Sequence, residues 1–562
     1  MNRRQILASL TAFGGAAAVK SYASDPNPPS TGGLPATILN PRSFGAIGDG
    51  NTLDSPAINA AIDACNKAGG GVVYLSPGNY LSGTVVLKSN VTLYLEAGAV
   101  LLGSKNVSDY NPQPGPGSND DAGQRHFIFA RDAENVGLAG PGAIDGQGSS
   151  YWIPSNRKPV SDDHKWSDAI HLDWEHKNRV SPMIELVNCT NLRIEDVRIR
   201  GASGWTMRPI NCTNVVIQGI AIKNPVYGPN TDGIDMTGCK NVLVSDCIID
   251  TGDDAICLKS ENPYGDSPRL SQNIVITNCI ITGCCNGFKI GTATQGGFEN
   301  ITFSNSVIYN DDVDLPSRLI AGIAIEMVDG GWVDGIVISG IQMRRARSPI
   351  CIRRGDRSSP HKFPQTGLRG VMIDGIHATD AVLTSSITGI PEMIVEDVSL
   401  SNITIDTVMP GKKEWVKSPV PEAQKDYPQS RMFGWLPASG LYCRHVKGLR
   451  LKDINFSSPA DEWRPTIICD DVKDLALTGF STTPIAEGVP PVSFVNVDTA
   501  WLSGAVAPVG ARALLSLQGE HTNNILVSGC DIREAGKLAE FGDGVAPNVV
   551  QAQSNADKKQ SA

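Results

Sequence analysis

This 562-residue chain has no apolar run long enough to cross a bilayer. The stretch from Ile6 to Val19 falls short of the ~20 residues that a spanning helix needs, and polar sequence follows it. It also has no excess of positive charge. With 48 basic and 58 acidic residues the formal net charge is −10, which argues against general nucleic-acid binding. Thirteen cysteines are present, but neither the spacing of a zinc site nor that of a small disulfide scaffold is. No metal or cofactor is therefore expected. No linker, low-complexity tract or change of composition interrupts residues 40–545, so this span reads as one domain, expected to be monomeric.

What is present begins with a short leader. Arg3-Arg4 precede the apolar run, and Ser21-Tyr22-Ala23 offers small residues for cleavage. Residues 1–23 resemble a bacterial export signal of the twin-arginine kind, the alternative being an uncleaved anchor. The expected location is periplasmic or extracellular, with no membrane span in the mature chain. Residues 546–562 read as a polar tail.

Between these ends lies a repeat. Five segments align on Asn191, Asn214, Asn241, Asn273 and Asn300, and each continues as a β-branched run that alternates apolar and polar residues. Five residues past each anchor comes a turn former: Asp196, Gly219, Asp246, Asn278 or Asn305. Similar runs continue toward the C-terminus. A unit of this kind cannot bury its own apolar face, so successive units must stack, and the strand period makes the solenoid a parallel β-helix. Cys189, Cys212 and Cys239 each lie two residues before an anchor, while Cys247 and Cys279 lie six after one. Equal offsets predict unbridged ladders. Residues 54–70 read as a capping helix, begun by Ser55 and Pro56, stopped by Gly69, and apolar along Ile58, Ala61, Ile62 and Cys65.

Asn230-Thr231-Asp232 and Gly252-Asp253-Asp254 fall on neighbouring coils of this repeat. Clustered carboxylates resist joint ionisation, and a glycosidase uses that conflict: one carboxyl keeps a proton for the leaving oxygen while others activate water. A calcium site or a solvated acidic turn is the other reading. Coils stack at about 4.8 Å, so carboxyls on adjacent coils suit either stereochemical outcome.

These motifs resemble the signature of glycoside hydrolase family 28, the polygalacturonases and their relatives. Ser43–Gly50, Gly70–Tyr80 and Gly142–Gly148 with Tyr151-Trp152 agree in order, and the resemblance covers roughly residues 40–460. It implies a single-stranded right-handed parallel β-helix and water-dependent, inverting cleavage of α-linked galacturonic acid or rhamnose units in pectic glycans. By the same resemblance Asp253 is the general acid, and Asp232 and Asp254 activate the water.

Two departures bear on substrate. Asn286 stands where the family carries a histidine, and Ala324 and Glu326 stand where it carries an Arg-Ile-Lys pair of cations. Glu326 is expected to repel a substrate carboxylate. Lys259, Lys289, Arg353 and Arg354 are the candidate replacement cations, with Asn230 and Asn286 as further substrate contacts. Trp205, Trp332 and Trp435 are candidate sugar platforms. The lost cations predict exo or side-branch action rather than endo cleavage of plain polygalacturonate. A β-helix lyase and a non-catalytic glycan binder are the alternatives.

Overall fold

The anchor asparagines show why the chain coils. In the computed structural model, Asn191, Asn214, Asn241, Asn273 and Asn300 all adopt left-handed backbone, with φ between 54° and 57°. Asparagine tolerates that region at little cost. Each donates its side-chain amide to the asparagine one coil earlier, Asn214 to Asn191 at 3.0 Å and Asn241 to Asn214 at 3.0 Å, for example. The turn formers five residues on are left-handed too, with φ from 48° at Asn305 to 65° at Gly219. Every coil therefore bends twice at the same register.

The structure describes residues 37–557, apart from 114–124, 157–173, 177–179, 266, 268, 316–317, 358–365 and 487. Residues 1–23, expected to form an export leader, lie outside the described residues. The strands form parallel ladders around a common core. In the asparagine ladder Leu192, Val215, Val242 and Ile274 pair in register and point inward. A second ladder carries Ile199, Ile222, Ile249 and Ile281. The third, which builds the site, runs through Ile184–Val187, Met207–Ile210, Ile234–Thr237, Ile256–Lys259, Asn286–Gly291, Ala321–Met327 and Ser348–Arg354. Each inward aliphatic side chain contributes about 1.5–3 kcal/mol on burial. Truncating one, such as the fully buried Ile256, would cost about 2–5 kcal/mol.

The helix Ser55–Lys67 covers the first coils with Ile58, Ala61, Ile62 and Cys65 buried beneath it. Its cap differs from expectation. Asp54 holds the N-cap position, and Ser55 instead accepts the backbone N–H of Gly83. All thirteen cysteines are unbridged, and only Cys285 is not fully buried. The repeat also runs past residue 545. Val550–Gln553 pairs with Ile525–Ser528, because the open edge of the last coil supplies backbone hydrogen bonds whatever the side chains. No described helix is long and apolar enough to cross a membrane.

One excursion matters for the site. After the strand Val395–Thr407 the chain leaves the helix and does not rejoin it until Leu441. This arm folds back along the coils. Ser430 donates to the carbonyl of Ile320 at 3.0 Å, and the Arg353 guanidinium grips the carbonyls of Glu422 at 2.6 Å and Ala423 at 3.2 Å.

Candidate active site

Asp232 and Asp254 each lie two residues ahead of a paired strand position, Ile234 opposite Ile256, and Asn286 stands at the same place before Phe288 one coil on. The three side chains therefore stack on consecutive coils, with Asp253 beside Asp254. All four are buried yet line one cavity of about 610 Å³. Backbone bonds fix the stack, from Gly233 N–H to the Asp254 carbonyl at 2.9 Å and from Ala255 N–H to the Asn286 carbonyl at 2.9 Å.

The environments of the carboxyls differ. Asp254 accepts from the Asn286 side-chain amide at 2.7 Å and its backbone N–H at 3.0 Å, and Lys289 Nζ lies 3.0 Å from its other oxygen. Burial pushes Asp254 toward protonation, but Lys289, Lys259 and the amide outweigh it and hold the carboxyl below the ordinary range. Asp232 has less help, Lys259 being the weakest of the influences on it. One of its oxygens finds no hydrogen-bond partner, and burial, then Asp235, Asp253 and Asp254, drive it well above the ordinary value. The two environments therefore pull apart, favouring the charged form of Asp254 and the protonated form of Asp232. Asp253 accepts the backbone N–H of Asp254 at 2.8 Å.

The expected cations divide. Lys289 gives its remaining donors to Tyr427 Oη at 3.3 Å and to Glu326 at 3.4 Å. Lys259 faces Asp235 at 3.2 Å and the Cys257 sulfur at 3.2 Å, with its ammonium 4.9 Å from the Trp205 ring centre. Both line the cavity, as do Asn230 and Trp205. Arg353 and Arg354 do not. Both are buried: Arg353 donates to the carbonyls of Gly389, Glu422 and Ala423, the last two on the returning arm, and Arg354 donates to the carbonyl of Ile394. Glu326 also departs from expectation. It lies fully buried behind Lys289 rather than facing the cavity, and burial lifts it to about 7. Trp332 donates to Glu299 and Trp435 stacks on Trp415, both away from the cavity.

Sequence reasoning missed Asp235, Arg208, Asp329 and Tyr427. Asp235 was legible, since strand alternation turns it outward between Ile234 and Met236. Tyr427 was not, as it arrives from 138 residues beyond Lys289. Asp253, Asp254 and Cys285 place ligand-type atoms within 4.8 Å of one another, the nearest approach to a metal set among the described residues. Lys289 already supplies Asp254 with a positive partner.

The fold and the carboxylate cluster define a parallel β-helix with an acidic cavity on one sheet. Residues 78–415 match the profile of Glycosyl hydrolases family 28, and residues 38–113 match that of Rhamnogalacturonase A/epimerase, pectate lyase-like. The chain belongs to glycosyl hydrolase family 28 and is a glycoside hydrolase. It is 28% identical over 387 residues to a probable polygalacturonase of Vitis vinifera, covering 66% of this chain and 74% of that one. To an exo-poly-α-D-galacturonosidase of Dickeya chrysanthemi it is 28% identical over 340 residues, spanning 55% of each. The exopolygalacturonase of Thermotoga maritima has the same fold, with a TM-score of 0.55 at 23% identity over 67% of this chain and 88% of that one.

Proposed function

We propose that this enzyme removes glycosyl units from the ends of pectic glycans, acting on α-linked galacturonic acid or rhamnose-containing chains with inversion. One observation carries the exo mode. Tyr427 and Gln429 of the returning arm line the cavity beside Lys289, so that arm stands as a wall across the C-terminal side of the carboxylates. An endo enzyme must let its polymer pass on both sides of the scissile bond, and a wall there favours a chain end.

In this reading Asp253 protonates the leaving oxygen, and Asp254 with Asp232 activates the water. Asp254 suits the base role because Lys289 and Asn286 keep it charged. The assignment of Asp253 as acid comes from the family resemblance. Coupled carboxyls titrate as a group, so the proton that the Asp232 environment favours stays available to the carboxyl that meets the leaving oxygen. Release of single sugars with little change in viscosity is the expected behaviour on a pectic panel that includes rhamnogalacturonan fragments. A fast viscosity drop at low reducing-end release would refute the exo mode. An unsaturated product absorbing in the ultraviolet would point instead to a lyase.

A further inference from the structure

Among the described residues, four basic side chains line the cavity: Arg208, Lys259, Lys289 and Arg357. Each is paired with an acid, and Arg208 Nη1 keeps the one buried donor among them that has no partner. Arg208 makes a forked pair with Glu185, at 2.7 Å through Nη2 and 2.9 Å through Nε. Lys259 faces Asp235 at 3.2 Å, and Lys289 is held between Asp254 at 3.0 Å and Glu326 at 3.4 Å. Arg357 forks onto Asp329 at 2.9 and 2.6 Å, with its guanidinium 5.3 Å from the centre of the Tyr427 ring. Glu185, Asp235 and Glu326 are completely buried behind the cavity lining. Five acids line the cavity itself, Asp232, Asp253, Asp254, Glu261 and Asp329, against those four bases.

A sugar carboxylate entering this space meets cations whose charge acids already offset, among more acids than bases. To draw one of those cations to itself it must leave the partner acid charged and unpaired in a buried place, which is strongly unfavourable. A sugar bearing only hydroxyls needs no such exchange, because hydroxyls donate to carboxylates directly. We infer that the cavity takes an uncharged terminal glycosyl unit, such as a deoxyhexose, and rejects a terminal uronate. The inference rests on the exo reading above and names the unit that fills its cavity. Glu326 and Asp329 are the residues that set this preference: each occupies a cation that a uronate would otherwise use, and exclusion of the wrong partner is itself a source of specificity.

The test compares matched rhamnogalacturonan oligosaccharides that end, at the non-reducing terminus, in either rhamnose or galacturonate. Released sugar is measured by anion-exchange chromatography. The native enzyme is expected to favour the rhamnose-ended series by at least about tenfold in kcat/KM, within the range a mismatched polar group commands. Asp329→Asn and Glu326→Gln should each move that ratio toward galacturonate. The ratio is internal to one preparation, so partial unfolding does not shift it. Equal or faster release of galacturonate by the native enzyme, or a ratio unmoved in both variants, overturns the inference while leaving exo hydrolysis standing. Internal cleavage products instead sink the exo reading beneath it. If neither series is cut, calorimetry with free rhamnose and free galacturonate decides. Tighter binding of rhamnose supports the inference, and tighter binding of galacturonate, or binding of neither, overturns it.

Discussion

Replacing Lys289 with methionine probes the centre of the site. Its ammonium lies 3.0 Å from Asp254 and 3.4 Å from Glu326, and all three side chains are buried. At 3.0 Å and an effective dielectric constant of ~20 the attraction to Asp254 alone is about 5–6 kcal/mol. Removing one partner of a buried pair costs about 3–5 kcal/mol, unless the stranded group neutralises itself. Asp254 does so by taking a proton, and then no longer activates water. In the native enzyme Lys289 depresses Asp254, so the acid limb of the pH–rate profile is expected to lie low. Lys289→Met should move that limb to higher pH and lower kcat by about 10²–10⁴-fold at neutral pH. Lys289→Arg, which keeps the charge, should retain the native limb with a smaller loss. The assay is terminal-sugar release from pH 3 to 8, with circular dichroism to confirm folding. A folded Lys289→Met enzyme with an unmoved acid limb would refute the role given to the pair.

Other outcomes follow from the same geometry. Asp253→Asn should reduce turnover by at least about 10²–10⁴-fold, with thermal stability unchanged or raised as one like charge leaves the cluster; near-native turnover would remove Asp253 from the acid role. Glu326 is lifted from its ordinary 4.5 to about 7, so the folded state binds its proton more tightly and stability falls as pH rises through that window. Glu326→Gln should therefore gain stability relative to the native enzyme between about pH 4.5 and 7 in urea titrations, by on the order of 3 kcal/mol. Asn214→Ala should cost about 2–3 kcal/mol, from a left-handed backbone and a broken amide ladder, and Asn214→Gly clearly less. Equal losses in the two would show that the backbone angle is not what the asparagine supplies.

The coil was legible in the sequence because its constraints are local. A left-handed bend at Asn214 or Asp246 restricts the residue at that position alone, and inward Val215 or Ile249 follows from alternation. Fixed offsets then place Asp254 and Asn286 on one stack, since residues at equal register on successive coils are neighbours. The bases could not be read this way. Arg353 and Lys289 look alike in the sequence, yet one is covered by the arm returning from residues 408–440 and the other opens on the cavity. Glu326 is a carboxylate in a strand until tertiary packing buries it against Lys289. Charge pairing depends on which distant segment arrives and what it excludes from water, and Tyr427 reaches the site across 138 residues of chain. The sequence by itself determined the helix, its register and the carboxylate stack through short-range backbone preference. Only the tertiary structure decided which charges reach the cavity and which acids they pair with, because electrostatic cost is set by burial and by neighbours that no local pattern names.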